Sequence, residues 1–237
     1  MIRLHVDAPL SAGAMIDASA AQAHYLGTVM RRSAGDPVCL FNGHDGEWAG
    51  RIATLARGKA SLQAETQTRP QQPDADLWLL FAPLKRDTTD LVVQKATELG
   101  VSAILPVFTE RTNAARINDD RLRAIAIEAA EQSERLTVPE LHPVRKLEDV
   151  LAAWPSDRKL FAALEREAAP ALPRPMPGHE AGPAAVLVGP EGGFGPRDRA
   201  ILARAGCVVP VCLGPRILRA ETAAIVGLAL LQGGECG

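Results

Sequence analysis

Residues 184–232 read AAVLVGPEGGFGPRDRAILARAGCVVPVCLGPRILRAETAAIVGLALLQ, and this stretch decides how the chain folds. It holds two short apolar runs, 184–188 and 207–213, each breaking abruptly into glycine and proline. Continuous β-branched runs of this length predict strands buried on both faces, as in a parallel α/β sheet. After the first run come Gly189, Pro190, Glu191, Gly192, Gly193, Phe194, Gly195 and Pro196. The glycines let main-chain N–H groups approach a ligand with no Cβ in between. Pro196 suits a first helical position, Ala200, Ile201 and Ala205 supply an apolar stripe, and Gly206 ends the helix. The second break, 213–223, leads into an alanine- and leucine-rich helix. An open α/β sheet places its ligand against loops at the carboxyl ends of its strands. The glycine spacing fits neither G-x-G-x-x-G, since the register lands on Asp198, nor a P-loop, since no Gly-Lys-Ser/Thr follows. A nucleotide-phosphate site is disfavoured.

The chain has 237 residues, 47% hydrophobic and 23% charged, an ordinary globular composition for two unequal domains. No apolar run reaches the roughly 20 residues that span a bilayer, and no charged-then-apolar leader follows Met1, so a cytoplasmic enzyme is the default. The four cysteines, Cys39, Cys207, Cys212 and Cys236, form no C-x-x-C pair; neither a disulfide framework nor a metal site is indicated. A net charge of −2 does not announce a nucleic-acid partner.

Along the chain, 2–6 alternates in the manner of a strand, and Ser19 can cap a helix through Ala23, Tyr25 and Leu26. Segments 37–41, 47–55 and 59–64 read as strands, with turn dipeptides at 42–46 marking a hairpin. These short strands suggest a small barrel. Residues 66–76, TQTRPQQPDAD, read as linker. Then 77–83, 87–100 and 101–107 form a β–α–β unit with Leu91, Val92, Ala96 and Leu99 at helical spacing and Gly100 at the helix end. Lys95 and Glu98 are spaced to pair. Arg111 stands just past the second of these strands, on the sheet edge that carries the two glycine-rich loops; Arg116 follows. A helix over 120–135 buries Leu122, Ile125, Ala126 and Ala129. Residues 165–183 form a proline-rich surface excursion with no core stripe.

The segments VGPEGGF and LGPRILRAETA, in this order near the carboxyl terminus, resemble the last two signature motifs of SPOUT-class, S-adenosylmethionine-dependent RNA methyltransferases. The nearest similarity is to the RsmE family. FAPLKRD (81–87), QKATELGV (94–101), Glu110-Arg111 and EQSERLTVPE (131–140) match the same pattern, as do His24-Tyr25-Leu26, Val29, Arg31-Arg32 and Gly35-Asp36. The resemblance covers nearly the whole chain. It implies a PUA-like β-barrel over 1–68, a linker over 69–76, and over 77–237 an α/β SPOUT methyltransferase domain ending in a trefoil knot. It implies methylation of uridine N3 in 16S ribosomal RNA of the small subunit, by a homodimer, with no metal and no membrane partner. A non-catalytic RNA-binding or ribosome-assembly protein on the same fold is the alternative.

By the same resemblance, S-adenosylmethionine would be held by Leu187, Val188, Gly189, Pro190, Glu191 and Gly192 from the first loop. From the second it would meet Leu213, Gly214, Ile217, Leu218, Arg219, Glu221, Thr222 and Ala223. N3 of uridine carries a proton, so charge spreads over O2, N3 and O4 as it leaves, and a fixed guanidinium would stabilise that charge. Arg111 and Arg219 are the candidates. Glu191 and Glu221 are either proton acceptors or orienting groups, or else carboxylates serving helix amino termini. Arg3, Arg31, Arg32, Lys85 and Arg86 are chosen for RNA phosphates, with His24 in the same segment, packed against the barrel.

Overall fold

The computed structural model describes residues 1–113, 117–164 and 182–232. Arg116, Cys236 and nearly all of the proline-rich 165–183 excursion lie outside them. The chain divides into two compact units: Met1–Pro73 with Ala130–Val138, and Asp74–Ala129 with Pro139–Gly237.

The first unit holds β1 (Ile2–His5), β2 (Met15–Asp17), α1 (Ala20–His24) running on as one π-helical turn (Tyr25–Val29), β3 (Pro37–Phe41), β4 (Glu47–Ala56) and β5 (Lys59–Arg69). The sheet order is β1-β3-β4-β5-β2, with β1 parallel to β3 and the other pairs antiparallel. Alternation puts Ile2 and Leu4 in a core with Leu26, Val38, Leu40, Ile52 and Leu62. Ser19 caps α1 in a reciprocal capping box with Gln22. The Asn42 side chain accepts the N–H groups of His44 (3.0 Å) and Asp45 (2.8 Å), the local bond that makes asparagine a hairpin residue. Two features depart from expectation. β2 was not anticipated, and β5 continues four residues into the stretch read as linker, pairing as far as Glu47–Arg69. A polar strand has no apolar alternation to announce it.

Arg3 is also corrected. Its side chain is only 8% exposed, on the face of β1 opposite Ile2 and Leu4. Nε and Nη2 donate to Glu47 Oε2 (3.2 and 2.9 Å), Nη1 to the carbonyls of Ala130 and Glu131 (3.1 and 3.4 Å), and Nη2 to that of Arg135 (2.9 Å). All five guanidinium N–H groups are engaged, none left for a phosphate.

The second unit contains β6 (Leu77–Phe81), α2 (Arg86–Glu98), β7 (Ala103–Phe108), α3 (Asp119–Gln132, whose last turn belongs to the first unit), β8 (Glu140–Leu141), β9 (Arg145–Lys146), α4 (Leu147–Ala152), β10 (Lys159–Ala163), β11 (Ala184–Val188), α5 (Pro196–Arg204), β12 (Val208–Val211) and α6 (Ala220–Gln232). Its sheet is wholly parallel in the order β12-β10-β11-β6-β7-β8, with β9 also against β7. β11 sits between β10 and β6 and is buried throughout, as its run of Ala, Val and Leu predicts. β12 is an edge strand and only half buried, against expectation. α6 lies close on β11: a Cβ at Gly227 would sit 2.9 Å from Val186. Ala223, Ala224 and Gly227 are therefore core of their own unit. Two predicted stripes shift by a residue or two. Leu91 is exposed while Val92, Val93 and Ala96 are buried, and in α5 the buried residues are Asp198 and Leu202 while Ala200 is exposed. Lys95 and Glu98 do pair, at 2.8 Å. Among the described residues no helix is long and apolar enough to cross a membrane.

Candidate functional site

The parallel sheet directs the carboxyl ends of β10, β11 and β12 to one edge, and a cavity of about 690 Å³ opens there. Ala163, Leu164, Val188 and Val211 from the strand ends form its floor, and the two glycine- and proline-rich loops form its walls. Every residue expected from those loops lines it except Leu187, Gly192 and Thr222. Leu187 is fully buried in the core between the strands, and Thr222 is exposed on α6. Arg216 lines the cavity within the second loop, and Thr88, Phe194, Arg199 and Cys212 line it as well without having been anticipated.

The first loop is anchored at several points. Phe194 is buried in the apolar core with Leu187, Val107 and Leu202. Gly189 lines the cavity, and a Cβ there would also meet that ring at 3.1–3.3 Å, a contact that would force the ring to give by a few tenths of an ångström. Arg111 does not line the cavity; its Nη1 donates to the Gly192 carbonyl at 2.8 Å, joining the turn after β7 to the loop. The expected charge stabiliser is thus first a loop contact. The second loop is more open. Gly214 has φ +127°, a region that L side chains rarely adopt, and its N–H and carbonyl meet the Cys212 thiol. Ile217 is 60% exposed.

Charge is unevenly placed. Lys85, Arg199, Arg216 and Arg219 line the cavity against Glu191 and Glu221. Arg199 Nε donates to the Phe194 carbonyl at 3.2 Å. Among the described residues, Lys85, Arg216 and Arg219 have no side-chain hydrogen bond or ion pair and are exposed. An excess of unneutralised cations at a concave mouth raises local anion concentration, which a whole-chain charge of −2 conceals. Arg86 is exposed at the start of α2. In the first unit His24, Arg31 and Arg32 are exposed, so His24 is not packed against the sheet. Among the described residues no group of His, Cys, Asp and Glu could hold a metal ion. Burial, then the Glu47 charge, pushes the Cys39 thiol up to about 11, which makes it an inert core group.

Residues 70–232 match the model of an RNA methyltransferase domain and 19–65 that of an RNA methyltransferase PUA domain. The ribosomal RNA small subunit methyltransferase E of Rickettsia conorii is 32% identical over 99% of this chain and 97% of its own length. That of Synechocystis is 32% identical over 92% of this chain and 73% of its own. Among solved structures, the enzyme of the same name from Neisseria gonorrhoeae, bound to S-adenosyl methionine, superposes with a TM-score of 0.83 at 32% identity, covering 97% of this chain and 95% of that one. A methyltransferase from Legionella pneumophila in complex with the same cofactor gives 0.84 at 28% identity, over 98% and 96%. Matched along both its units in sequence and in fold, the chain belongs to the RsmE family of RNA methyltransferases.

Proposed function

We propose that this chain transfers a methyl group from S-adenosylmethionine to N3 of a uridine in the 16S RNA of the small ribosomal subunit. The observation that carries the reading is the cavity, on which three strand ends and both signature loops converge. Its volume falls in the range of sites that enclose a small ligand. Val188, Leu213, Leu218 and Ala223 give apolar wall for a flat base, loop backbone gives donors and acceptors, and the carboxylates can meet an ammonium or ribose hydroxyls. When bound, the sulfonium supplies a methyl group on an already activated leaving group.

The chain's own task is alignment, exclusion of water and management of one proton. Uridine N3 lies on the Watson–Crick edge, so the base enters unpaired or flipped out. As N3 loses its proton, negative charge spreads to O2 and O4, and Arg219, lining the cavity, is the guanidinium that would stabilise it. Glu191, exposed on the opposite loop, is the proposed proton acceptor or orienting group. Lys85, Arg86, Arg31, Arg32 and His24 are proposed RNA contacts, consistent with their exposure. A trefoil knot at the carboxyl end, a homodimer and a cytoplasmic setting belong to the same reading and rest on family likeness.

The test is methyl transfer from labelled S-adenosylmethionine to small subunits lacking the modification, followed by nucleoside analysis. Label is expected as 3-methyluridine. Label in another nucleoside would overturn the N3 assignment. Cofactor binding with no transfer to any ribosomal RNA would leave a binding protein on this fold.

A further inference from the structure

We infer that Glu110 is a positioning residue that fixes the cavity-lining loop 189–195 by capping α5 from a distant part of the chain. The amino end of a helix leaves backbone N–H groups without intrahelical partners, and a side chain at the N-cap ordinarily accepts one. Here the N-cap is Gly195, which has no side chain. Glu110 supplies the missing acceptor: its Oε2 takes the N–H of Arg197 at 3.0 Å. The contact is reciprocal. Asp198, buried in the third position of α5, accepts the N–H of Glu110 (3.0 and 3.2 Å) and of Gly195 (3.1 Å). In this arrangement the Glu110 side chain occupies the space beside Gly195 that a Cβ would enter. The turn that presents Glu110 is itself braced: the Thr112 hydroxyl accepts the Thr109 N–H at 2.9 Å and meets the Thr109 hydroxyl at 2.8 Å. Next to Glu110, Arg111 holds the Gly192 carbonyl.

The loop is thereby fixed just beyond Phe194, at the point where it leaves the cavity wall. A carboxylate there also favours the positive end of the α5 dipole. Glu110 touches neither the cavity nor any reacting atom, so its effect is on how well the wall is preorganised. The consequence for cofactor affinity rests on the proposed function; the consequence for loop order does not.

The experiment is hydrogen exchange of residues 189–204 in the ligand-free protein, with calorimetric titration of S-adenosylmethionine, for wild type, Glu110→Ala and Glu110→Gln. Glu110→Ala is expected to speed exchange at the start of α5 roughly five- to tenfold, the loss of one helix cap, and to weaken cofactor binding by a similar factor. The transfer rate at saturating cofactor is expected to stay near wild type. Glu110→Gln keeps an acceptor oxygen and the shape, and should recover most of both. Unchanged exchange in Glu110→Ala overturns the inference. Faster exchange with unaltered affinity also overturns it, reducing Glu110 to a helix cap with no bearing on the site. A wild type that does not bind S-adenosylmethionine would overturn the proposed function, and exchange alone would then decide for Glu110.

Discussion

Two helix ends in this protein are closed by a charged side chain borrowed from far along the chain. Arg3 closes the carboxyl end of α3, where its guanidinium meets the carbonyls of Ala130, Glu131 and Arg135. Glu110 closes the amino end of α5 through the Arg197 N–H. The device is the same, with the sign matched to the helix dipole in each case. The settings differ. Arg3 is buried, paired with Glu47 and stacked over Phe41 at 4.5 Å, so its contribution is to stability. Glu110 is exposed and acts on a loop that walls a cavity, so its contribution is to shape. A charge fully engaged by protein holds a fold together, whereas cations with no partner, such as Arg219, mark where a ligand is expected.

Arg3→Ala should break this comparison most severely. It leaves the Glu47 carboxylate to Thr68 and the half-exposed Arg69 and takes the donor from three carbonyls, and about 2–4 kcal/mol of stability is expected to be lost in urea denaturation. A loss under 1 kcal/mol would show the network to be dispensable. Gly189→Val comes next. Its added carbons collide with the Phe194 ring, and overpacking of this kind costs roughly 1–3 kcal/mol. Displaced from the core, Phe194 should carry the loop with it and abolish cofactor binding.

Acid should distinguish the two regions as well. The Leu10 N–H, then the Asn42 amide, hold the Asp45 carboxyl below its usual range. Burial, the largest influence on Glu47, would raise its carboxyl; the hydrogen bonds of Thr68 and Arg3 with the Arg3 charge outweigh it and leave it lowered. Groups depressed in the folded state contribute stability above their unfolded values, about 3.9 for Asp and 4.3 for Glu, and lose it as pH falls through the folded ones. The first unit should therefore weaken below about pH 4, and Glu47→Gln should flatten that dependence. Urea midpoints between pH 3 and 7 provide the check. Arg219→Ala should have the smallest effect on stability, within about 0.5 kcal/mol, because the side chain is exposed. Its transfer rate should fall on the order of a hundredfold with little change in cofactor affinity. An unaltered rate would remove Arg219 from the proposed mechanism.

Much of this could be read in the sequence because local chemistry fixes it. The β11 run, the Gly100 helix end, the Asn42 hairpin and the Ser19 cap each follow from a few adjacent residues. Both cavity loops were identifiable from where strands break into glycine. What stayed hidden depends on distant partners. Nothing beside Arg3 says that three carbonyls lie more than a hundred residues away, and Glu110 gains its meaning only against Gly195. Gly189 was readable as a loop glycine, but its close approach to the Phe194 ring required the fold. Edge position likewise separates β12 from β11, although the two runs look alike in sequence.

Calorimetric titration of S-adenosylmethionine into wild type, Arg3→Ala and Gly189→Val, each kept below its unfolding temperature, tests the central claim most directly. Saturable binding in wild type, its retention in Arg3→Ala and its loss in Gly189→Val is the predicted result. Undiminished binding in Gly189→Val would place the cofactor somewhere other than the cavity at the ends of β10, β11 and β12.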